Sequence, residues 1–566
     1  MSRAAIDTRV ALETPEHVVL PVAAAGPAAR AVAYGIDLGL RGAFLLTVFV
    51  LASAVFPLFA LEDTGVGMGL FVWFLLDWGW YVVFETYDGG RSPGKRVMRL
   101  RVVRADGSPI GARDAMLRNL LRAADGLPLF YVVGAVVTMV DPRFRRLGDL
   151  VAGTLVIHEA NEEAPSPAVE LYPPVGDAER PRLPRHRRVE PADHRALEEF
   201  VAASERHGVV WSEWVASRVV DGFSARYHVA AKTPVRTLQL LVAAARADAP
   251  EIERAAASGR DDARVLGALL LDAQLAPLTA AAAPAVVRTF RNLVGELGRL
   301  RAGASSRARA AEALAAEAQR VVYRDAGRAA RFDGNAVARL LIEEFPAALR
   351  ANRGWMALSA ALFLIPFAYG MWGAATDPAF VEAVVPAETR DLLGESYRDG
   401  VARSGDENAL MAGFYVQNNV GIALRAVAGG IFLGLGSAWT LLWNGLAIGS
   451  FAGWIVAEGL GGNFLRFTSG HSTWELTAIV VAGAAGLRLG SSFVVTEGRT
   501  RGASLRAAGP DVLRLTLGAA AMLLIAAAIE GFWSAGEMHD AVRAAFAIAQ
   551  AGLVWAWLTG RVRWRR

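Results

Sequence analysis

Hydrophobic and polar positions form long blocks along the chain, each an apolar run bounded by charged or turn-forming residues. Runs of about 20 residues cross a hydrocarbon core of about 30 Å as α-helices. The pattern therefore predicts an all-α polytopic integral membrane protein with about eight transmembrane helices. The predicted spans are residues 43–61, 68–87, 354–373, 413–436, 438–460, 474–495, 512–533 and 542–558.

A further apolar stretch, residues 127–140, is shorter and is interrupted by Pro128 and Gly134. Basic residues follow it directly, beginning at Arg143. We interpret it as a re-entrant segment that returns to the side from which it entered. A tilted full crossing is the alternative, but it would place the next arginine-rich residues outside, which the positive-inside rule disfavours.

Charge predicts the orientation of the chain in the membrane. Residues 88–125 carry nine Lys/Arg and four acids, whereas residues 377–407 carry eight acids and three arginines. Basic loops face the cytoplasm. We therefore expect a multi-pass protein of the cell (inner) membrane, with both termini in the cytoplasm and the acidic segment outside.

Composition changes along the chain divide it into five predicted parts. The middle of the chain is rich in Ala, Arg, Leu and Glu at helical spacing, and a proline- and arginine-rich linker precedes it. The parts are a membrane unit (1–160), the linker (161–191), a cytoplasmic helical domain (192–350), a transmembrane bundle (351–560) and a basic cytoplasmic tail (561–566).

Two local patterns add detail to this division. Residues 97–103, followed by turn-forming residues 105–107, predict a small β-hairpin. In the cytoplasmic domain, the helical periodicity breaks near residues 233–234, 276–277 and 303. These breaks predict several antiparallel helices.

Composition also narrows the classes of function. With 54% hydrophobic residues and a mean hydropathy of +0.32, the chain is too apolar for an ordinary soluble protein. It contains no cysteine, which excludes disulfides and thiolate chemistry. A net charge of +4 is too small to indicate nucleic-acid binding. No hydrolase motif is present, so we expect no enzyme activity. We also expect no cofactor and assign no residue as a metal ligand.

Several charged residues of the first unit are candidates for a polar network. Arg30 and Asp37 are two helical turns apart, on the helix that leads into the first span. The favoured interpretation is an internal salt bridge, with Asp149 as a candidate partner. The alternative is a cation path through Asp37 and Asp77, because an unpaired carboxylate in mid-span is costly.

The loop after the second span contains Lys95 and Arg96. Its glycines at residues 89–94 do not have the spacing or the strand-to-helix context of a phosphate-binding loop. We therefore predict that Lys95 and Arg96 contact anionic lipid head groups, at about 1 kcal/mol for each cation.

Two amides and a series of glycines characterise residues 414–453, which are almost free of charge. Asn418 and Asn419 need hydrogen-bond partners if they lie at membrane depth. Gly445, Gly449 and Gly453 follow at four-residue steps. This spacing predicts a close contact between two helices.

His471 and Glu475 are four residues apart and share one helix face at the entrance of a span. Glu530 or Asn444 could add a third polar group. We favour a polar cap that holds helices together. Proton or ion handling is the second interpretation, because histidine titrates near neutral pH, and a metal site is the third.

Four sequence blocks of the first unit form a specific set, at residues 30–37, 89–103, 117–122 and 145–154. Together they resemble the RDD family of membrane domains. A second set begins at Phe345 and includes residues 414–419, Asn444 with Gly445, and His471 with Glu475. It also includes residues 483–490 and 529–531, and it resembles the family of stage II sporulation protein M.

Both resemblances imply membrane proteins without a settled biochemical activity. Sporulation members of the second family are similar to scaffolds that hold cell-wall hydrolases, and some RDD proteins look like sodium–proton antiporters. Genes of both families accompany those for an AAA+ ATPase and a von Willebrand factor A-domain protein.

We therefore expect a membrane component or scaffold of a cell-envelope-associated complex. Its partners would be the lipid bilayer and either those two proteins or envelope proteins, with self-association left open. The alternative is a cation- or proton-coupled transporter or channel, with Asp37, Asp77, Glu475 and Glu530 along a polar route.

Overall fold

The computed structural model describes residues 9–13, 19–126, 131–159, 191–229, 231–246, 334–398, 403–536 and 538–561. Within them, helices dominate and only two small sheets occur. The elements of the N-terminal unit are β1 (Arg9–Glu13), β2 (Val19–Ala23), α1 (Pro27–Val55), α2 (Glu62–Tyr87), α3 (Pro93–Val97), β3 (Leu100–Arg104), α4 (Ala112–Leu120), α5 (Arg122–Asp125), α6 (Val132–Val140), α7 (Leu147–Ala152) and β4 (Thr154–His158).

Helices α1 and α2 pack against each other, and the shorter helices pack near the Tyr87 end of α2. Pro27 stands at the first position of α1, where its fixed φ suits a helix start. A 3-10 turn at Phe56–Phe59 extends this helix. At the other end of the unit, α2 stops before Gly89 and Gly90, which both have positive φ.

The strand partner of β3 differs from the prediction. The predicted hairpin over residues 97–107 forms its turn, but no second strand follows the turn in the described residues. A single isolated β-bridge, Val103 to Pro109, stands in its place. β3 instead pairs antiparallel with β4, Leu100 opposite His158. Leu100 and Val102 are buried in this arrangement. An alternating pattern identifies a strand but does not identify its distant partner.

In the predicted cytoplasmic domain, the structure describes α8 (Pro191–Tyr227) and α9 (Pro234–Arg246), and it describes residues again from 334. The break between them confirms the one predicted at residues 233–234, whereas 276–277 and 303 lie outside the described residues. Asp193, at the start of α8, accepts hydrogen bonds of 2.6 Å from both Arg226 and Tyr227 at its end. A straight helix of 37 residues would be about 55 Å long, so α8 folds back on itself.

Residues from Gly334, predicted at the end of the preceding domain, lead into the C-terminal bundle, and Phe345 and Leu349 pack in its core. The described residues from 334 onward contain three π-helical turns, at Leu340–Glu344, Val416–Val420 and Ile529–Trp533. The helices of this part are α10 (Gly334–Arg339), α11 (Phe345–Ala351), α12 (Arg353–Thr376), α13 (Pro378–Val384), α14 (Ala387–Arg398), α15 (Gly405–Tyr415), α16 (Gly421–Gly429), α17 (Leu435–Ala457), α18 (Gly461–Thr468), α19 (Ser472–Ser491), α20 (Arg501–Ala528) and α21 (Asp540–Leu558).

Six helices of the described chain are long and apolar enough to cross a membrane. Two further predicted spans correspond to helical stretches 405–429 and 472–491, which carry polar residues and lie inside the bundle. Of the eight predicted crossings, six are therefore supported by the length and apolarity of a described helix. Helix α6, inside the predicted re-entrant segment, has nine residues and is too short to cross alone. The six are Pro27–Phe59, Glu62–Tyr87, Arg353–Thr376, Leu435–Ala457, Arg501–Trp533 and Asp540–Leu558.

The N-terminal unit and the C-terminal bundle share one packed core. α2 lies along α15, where a methyl group added to Gly413 would collide with the backbone of Gly67. The Asp406 carboxylate accepts hydrogen bonds from the backbone of Asp63 at 3.0 Å and of Thr64 at 2.6 Å. At the opposite end, α7 packs against α20, and buried residues from both parts form a single hydrophobic cluster.

Candidate functional site

The structure gathers most of the predicted polar residues into two places. The first is a charged cluster of Arg30, Glu85, Lys95, Arg118 and Asp149 in the N-terminal unit. Arg118 is its centre: Nε donates to Glu85 at 3.2 Å, and Nη1 contacts Asp149 and donates to Thr154 at 2.8 Å. Its side chain is only 1% exposed. Such a group needs full pairing to stay buried.

Arg30 and Lys95 complete this charged cluster. Arg30 Nη1 lies 2.8 Å from Asp149 Oδ2, the salt bridge favoured from the sequence. Lys95 Nζ lies 2.7 Å from Glu85 Oε1, and its side chain is largely buried. The ammonium therefore points into the protein, and this corrects its predicted place at lipid head groups. Arg96 is exposed and pairs with Asp88 at 2.6 Å.

Burial disfavours the charged forms of Lys95 and Arg118, which lie in the segment after the second predicted span. It lowers the pKa of Arg118 to about 10 and lowers the pKa of Lys95, while the Glu85 carboxylate opposes both shifts. Glu85 was missed from the sequence, although its position near the end of α2, ten residues before Lys95, was a usable signal. The arrangement is that of a closed structural network.

Asp37 and Asp77 do not join this charged cluster. Asp37 accepts hydrogen bonds from Ser92 Oγ at 2.6 Å and from the Gly94 backbone at 2.8 Å, so it holds the loop after α2. Asp77 lies 2.9 Å from Arg122 Nη2. The two carboxylates thus have separate partners, and the predicted cation path through both gains no support from these contacts.

The second place is a trio formed by His471, Glu475 and Glu530, here called the His–Glu cluster. His471 Nε2 lies 3.8 Å from Glu475 Oε2 and 3.9 Å from Glu530 Oε1. One potential ligand atom from each residue lies within 4.8 Å of the others. Asn444 instead donates to the Thr440 carbonyl of its own helix at 2.7 Å. Glu530, of the two candidates, therefore completes the trio.

Neutral side chains orient the His–Glu cluster. His471 Nδ1 lies 3.1 Å from Ser534 Oγ. Asn419 Nδ2 donates to Glu475 Oε1 at 2.9 Å, and Asn418 Nδ2 donates to Asn419 Oδ1 at 2.8 Å. The two amides predicted from the sequence therefore hold the Glu475 carboxylate in place through hydrogen bonds.

Two π-helical turns meet at this cluster. Val416–Val420 carries Asn418 and Asn419, and Ile529–Trp533 carries Glu530. Gly531, next to Glu530, lets the backbone of α15 approach closely. Single π-turns widen a helix locally and are frequent at functional sites.

The His–Glu cluster lies deep between helices. Asp540, at the start of α21, pairs with Arg466 at 2.8 Å on the surface. Ten residues further, about 15 Å along the helix, Gln550 accepts a hydrogen bond of 2.9 Å from Trp474. Trp474 directly precedes Glu475, whereas Ser534, which contacts His471, accepts from Arg543 three residues into α21, so the cluster lies between these two levels. Glu530 is 7% exposed, and its Oε2 has no hydrogen-bond partner among the described residues.

Comparison with protein families explains the division of the chain. Residues 24–153 match the RDD family, and residues 359–535 match the stage II sporulation protein M family. The chain joins an RDD region to a stage II sporulation protein M region. With its apolar helices, it is a multi-pass membrane protein. No curated protein and no solved structure gives a significant match to the chain.

The two places differ in chemistry as well as in family. The charged cluster in the RDD region has three cations for two acids, each in contact with an opposite charge. The His–Glu cluster in the sporulation-M region has two carboxylates and one imidazole. The first arrangement can hold helices together. The second has spare acceptor capacity and can take up a cation.

Proposed function

We propose that the chain is a static membrane platform in a cell-envelope-associated complex. The observation that supports this is the contact between the RDD region and the sporulation-M region. Gly67 and Gly413 touch through their backbones, and Asp406 caps the start of α2. Carriers that alternate access rock one half against the other around a central site. A backbone contact of this kind opposes such movement.

The cytoplasmic helices offer a face for partners. On α8, Val210 is 86% exposed and Trp214 is 55% exposed, with Arg218 stacked over the Trp214 ring at 4.0 Å. Exposed tryptophan and arginine are the side chains that most often anchor protein interfaces. We propose that an AAA+ ATPase or a von Willebrand factor A-domain protein docks there, and that envelope proteins meet the acidic segment on the other side.

Co-purification tests the platform proposal. The tagged full-length chain should be expressed together with the two candidate partners from the same organism. At least one of these partners should remain bound to it through purification. Trp214→Ala should lower the retained amount about tenfold, as expected for an interface anchor. Trp443→Ala, an exposed tryptophan on the membrane helix α17, is the matched control and should retain the partner. If neither partner class is enriched over an untagged control, the proposal fails.

A second candidate function, cation- or proton-coupled transport, is favoured by one observation, the Glu530 oxygen without a partner. Proteoliposomes with the wild-type chain should show flux under sodium or proton gradients if this function holds, and Glu475→Gln or Glu530→Gln should abolish it. The platform proposal predicts no gradient-dependent flux for any of the three.

A further inference from the structure

We propose that His471, Glu475 and Glu530 bind a single divalent first-row transition metal ion, with zinc as the first choice. The site is independent of the platform function, since a metal at this place would hold α19 and α20 together in either functional class. It stands on the geometry of the trio, on the unpaired Glu530 oxygen and on the side chains that orient the ligands.

The distances fit a small ion after a slight contraction. Zinc binds histidine nitrogen and carboxylate oxygen at about 2.0–2.2 Å, which places tetrahedral donors roughly 3.4 Å apart. The observed separations from His471 Nε2 are 3.8 Å to Glu475 and 3.9 Å to Glu530. The donor atoms of the trio lie within 4.8 Å of one another, so the two carboxylates must also approach each other by up to roughly 1.4 Å, which changes in their side-chain torsions supply.

The charge balance favours a divalent ion over a monovalent one. Two carboxylates meet here between helices, and Asn419 and Ser534, which contact the trio, are neutral. Tyr415 lies beside the Glu530 carboxylate, and Arg403 contacts Tyr415 at 3.4 Å, so one cation is near the trio without an ion pair to it in the described chain. A metal with two positive charges neutralises both carboxylates, whereas one proton or one sodium ion leaves a buried negative charge, which is costly.

Glu530 supplies the independent indication that something binds. Its side chain is 9% exposed, and Oε2 is buried without a hydrogen-bond partner in the described residues. Buried carboxylate oxygens are normally paired, so an orphan oxygen beside two other potential ligands points to an unrecorded partner. Glu530 lies in the π-turn Ile529–Trp533, and π-turns are frequent at functional sites.

The surroundings of the ligands match those of known metal sites. Ser534 occupies His471 Nδ1, which leaves Nε2 for the ion, and Asn419 holds one oxygen of Glu475. Such partners fix the tautomer and the orientation of the ligands. One imidazole and two carboxylates, without sulfur, suit Zn²⁺ or Mn²⁺ and disfavour Cu⁺.

Metal binding to the full-length chain in detergent tests the site. Protein treated with EDTA and freed of chelator should take up one Zn²⁺ per chain, measured by elemental analysis after gel filtration, and its thermal unfolding midpoint should rise. X-ray absorption should show only nitrogen and oxygen ligands, including one imidazole. No uptake of Zn²⁺ or Mn²⁺ by the wild type, or stabilisation by Na⁺ alone, would overturn the proposal.

Variants assign the ligands. Glu475→Gln and Glu530→Gln should each lower zinc affinity at least tenfold, whereas Glu458→Gln, an exposed carboxylate at the end of α17, should not change it. Ser534→Ala should lower affinity about 10–100-fold through loss of the histidine support. Equal zinc uptake by wild type and both ligand variants would place the metal elsewhere and refute this assignment. Should a variant fail to fold, the wild-type absorption spectrum decides.

Discussion

At the scale of single residues, Glu85 has the largest structural task in the charged cluster. It is fully buried and accepts from Lys95 and Arg118 at once. The net attraction within a buried ion pair adds little to the stability of the fold. Removing one partner, however, destabilises the fold strongly, because an isolated buried cation is far less stable than a paired one. The cluster joins α2 to α3 and α4 for this reason.

Glu85→Gln should therefore lower the free energy of unfolding by about 3–5 kcal/mol, since it leaves Lys95 and Arg118 without a full countercharge. Thermal unfolding of the purified chain in detergent measures the change. Glu62→Gln, at the exposed start of the same helix, is the matched control and should stay within about 0.5 kcal/mol of wild type. Similar midpoints for both variants would contradict the closed network.

Asp193 gives helix α8 a dependence on pH. The Tyr227 hydroxyl, which donates to it, and the nearby Arg226 lower the pKa of Asp193. Because the folded pKa lies below the unfolded value of about 3.9, this stabilisation is present above pH 4 and is lost as the pH falls through the folded pKa. The contact that folds α8 back should then open.

Hydrogen–deuterium exchange of residues 191–227, corrected for the intrinsic rate, should therefore be faster at pH 3 than at pH 6. Asp193→Asn should exchange rapidly at both pH values, because its neutral amide lacks the ion pair with Arg226. Exchange in the wild type that does not change between the two pH values would remove this role of Asp193.

At the scale of elements, helices α12 and α17 are in close backbone contact. Gly445, Gly449 and Gly453 bring α17 against the backbone of α12, and this confirms the close contact predicted from their spacing. A methyl group on Gly449 would meet the carbonyl of Phe367. Backbone cannot give way as a flexible side chain does, so the contact depends on glycine.

Gly449→Ala should destabilise the protein by about 1–3 kcal/mol through overpacking. Gly552→Ala is the matched control, because nothing lies within 4 Å of a methyl group at that position of α21. Its stability should be unchanged or slightly higher, since alanine favours a helix more than glycine does. Thermal unfolding of both variants in detergent measures the difference, and equal effects would argue against the backbone contact.

At the scale of the whole molecule, the RDD region and the sporulation-M region form one membrane body, and a helical segment lies between them in sequence. One hydrophobic cluster joins α5 and α7 of the RDD region to α16 and α20 of the sporulation-M region, so separating the two regions would expose these buried side chains. The orientation of this body remains a prediction from charge, and it is directly testable because the chain has no cysteine of its own.

Single cysteines should report that orientation in intact cells. Glu382→Cys, exposed on α13, should react with a membrane-impermeant maleimide from outside. Arg499→Cys and Arg143→Cys are also at exposed positions and should react only after permeabilisation. Labelling of Arg143→Cys from outside would show that residues 127–140 cross the membrane, against the re-entrant interpretation.

Local pattern alone determined much of this protein. Apolar runs, charge bias and glycine spacing act over a few helical turns, so they marked the membrane helices and the contact face of α17. They also placed His471 and Glu475 on one face, because residues four apart in a helix are neighbours. The family blocks marked both membrane regions, as the family matches confirm.

Only the tertiary structure decided which distant residues meet. Glu530 rather than Asn444 joins His471, β3 pairs with β4, and Lys95 turns inward to Glu85. Each of these contacts links segments separated by other elements or by a turn, so it depends on how helices pack and where π-turns widen them. Local sequence determines which face of a helix is polar, whereas packing determines what that face touches.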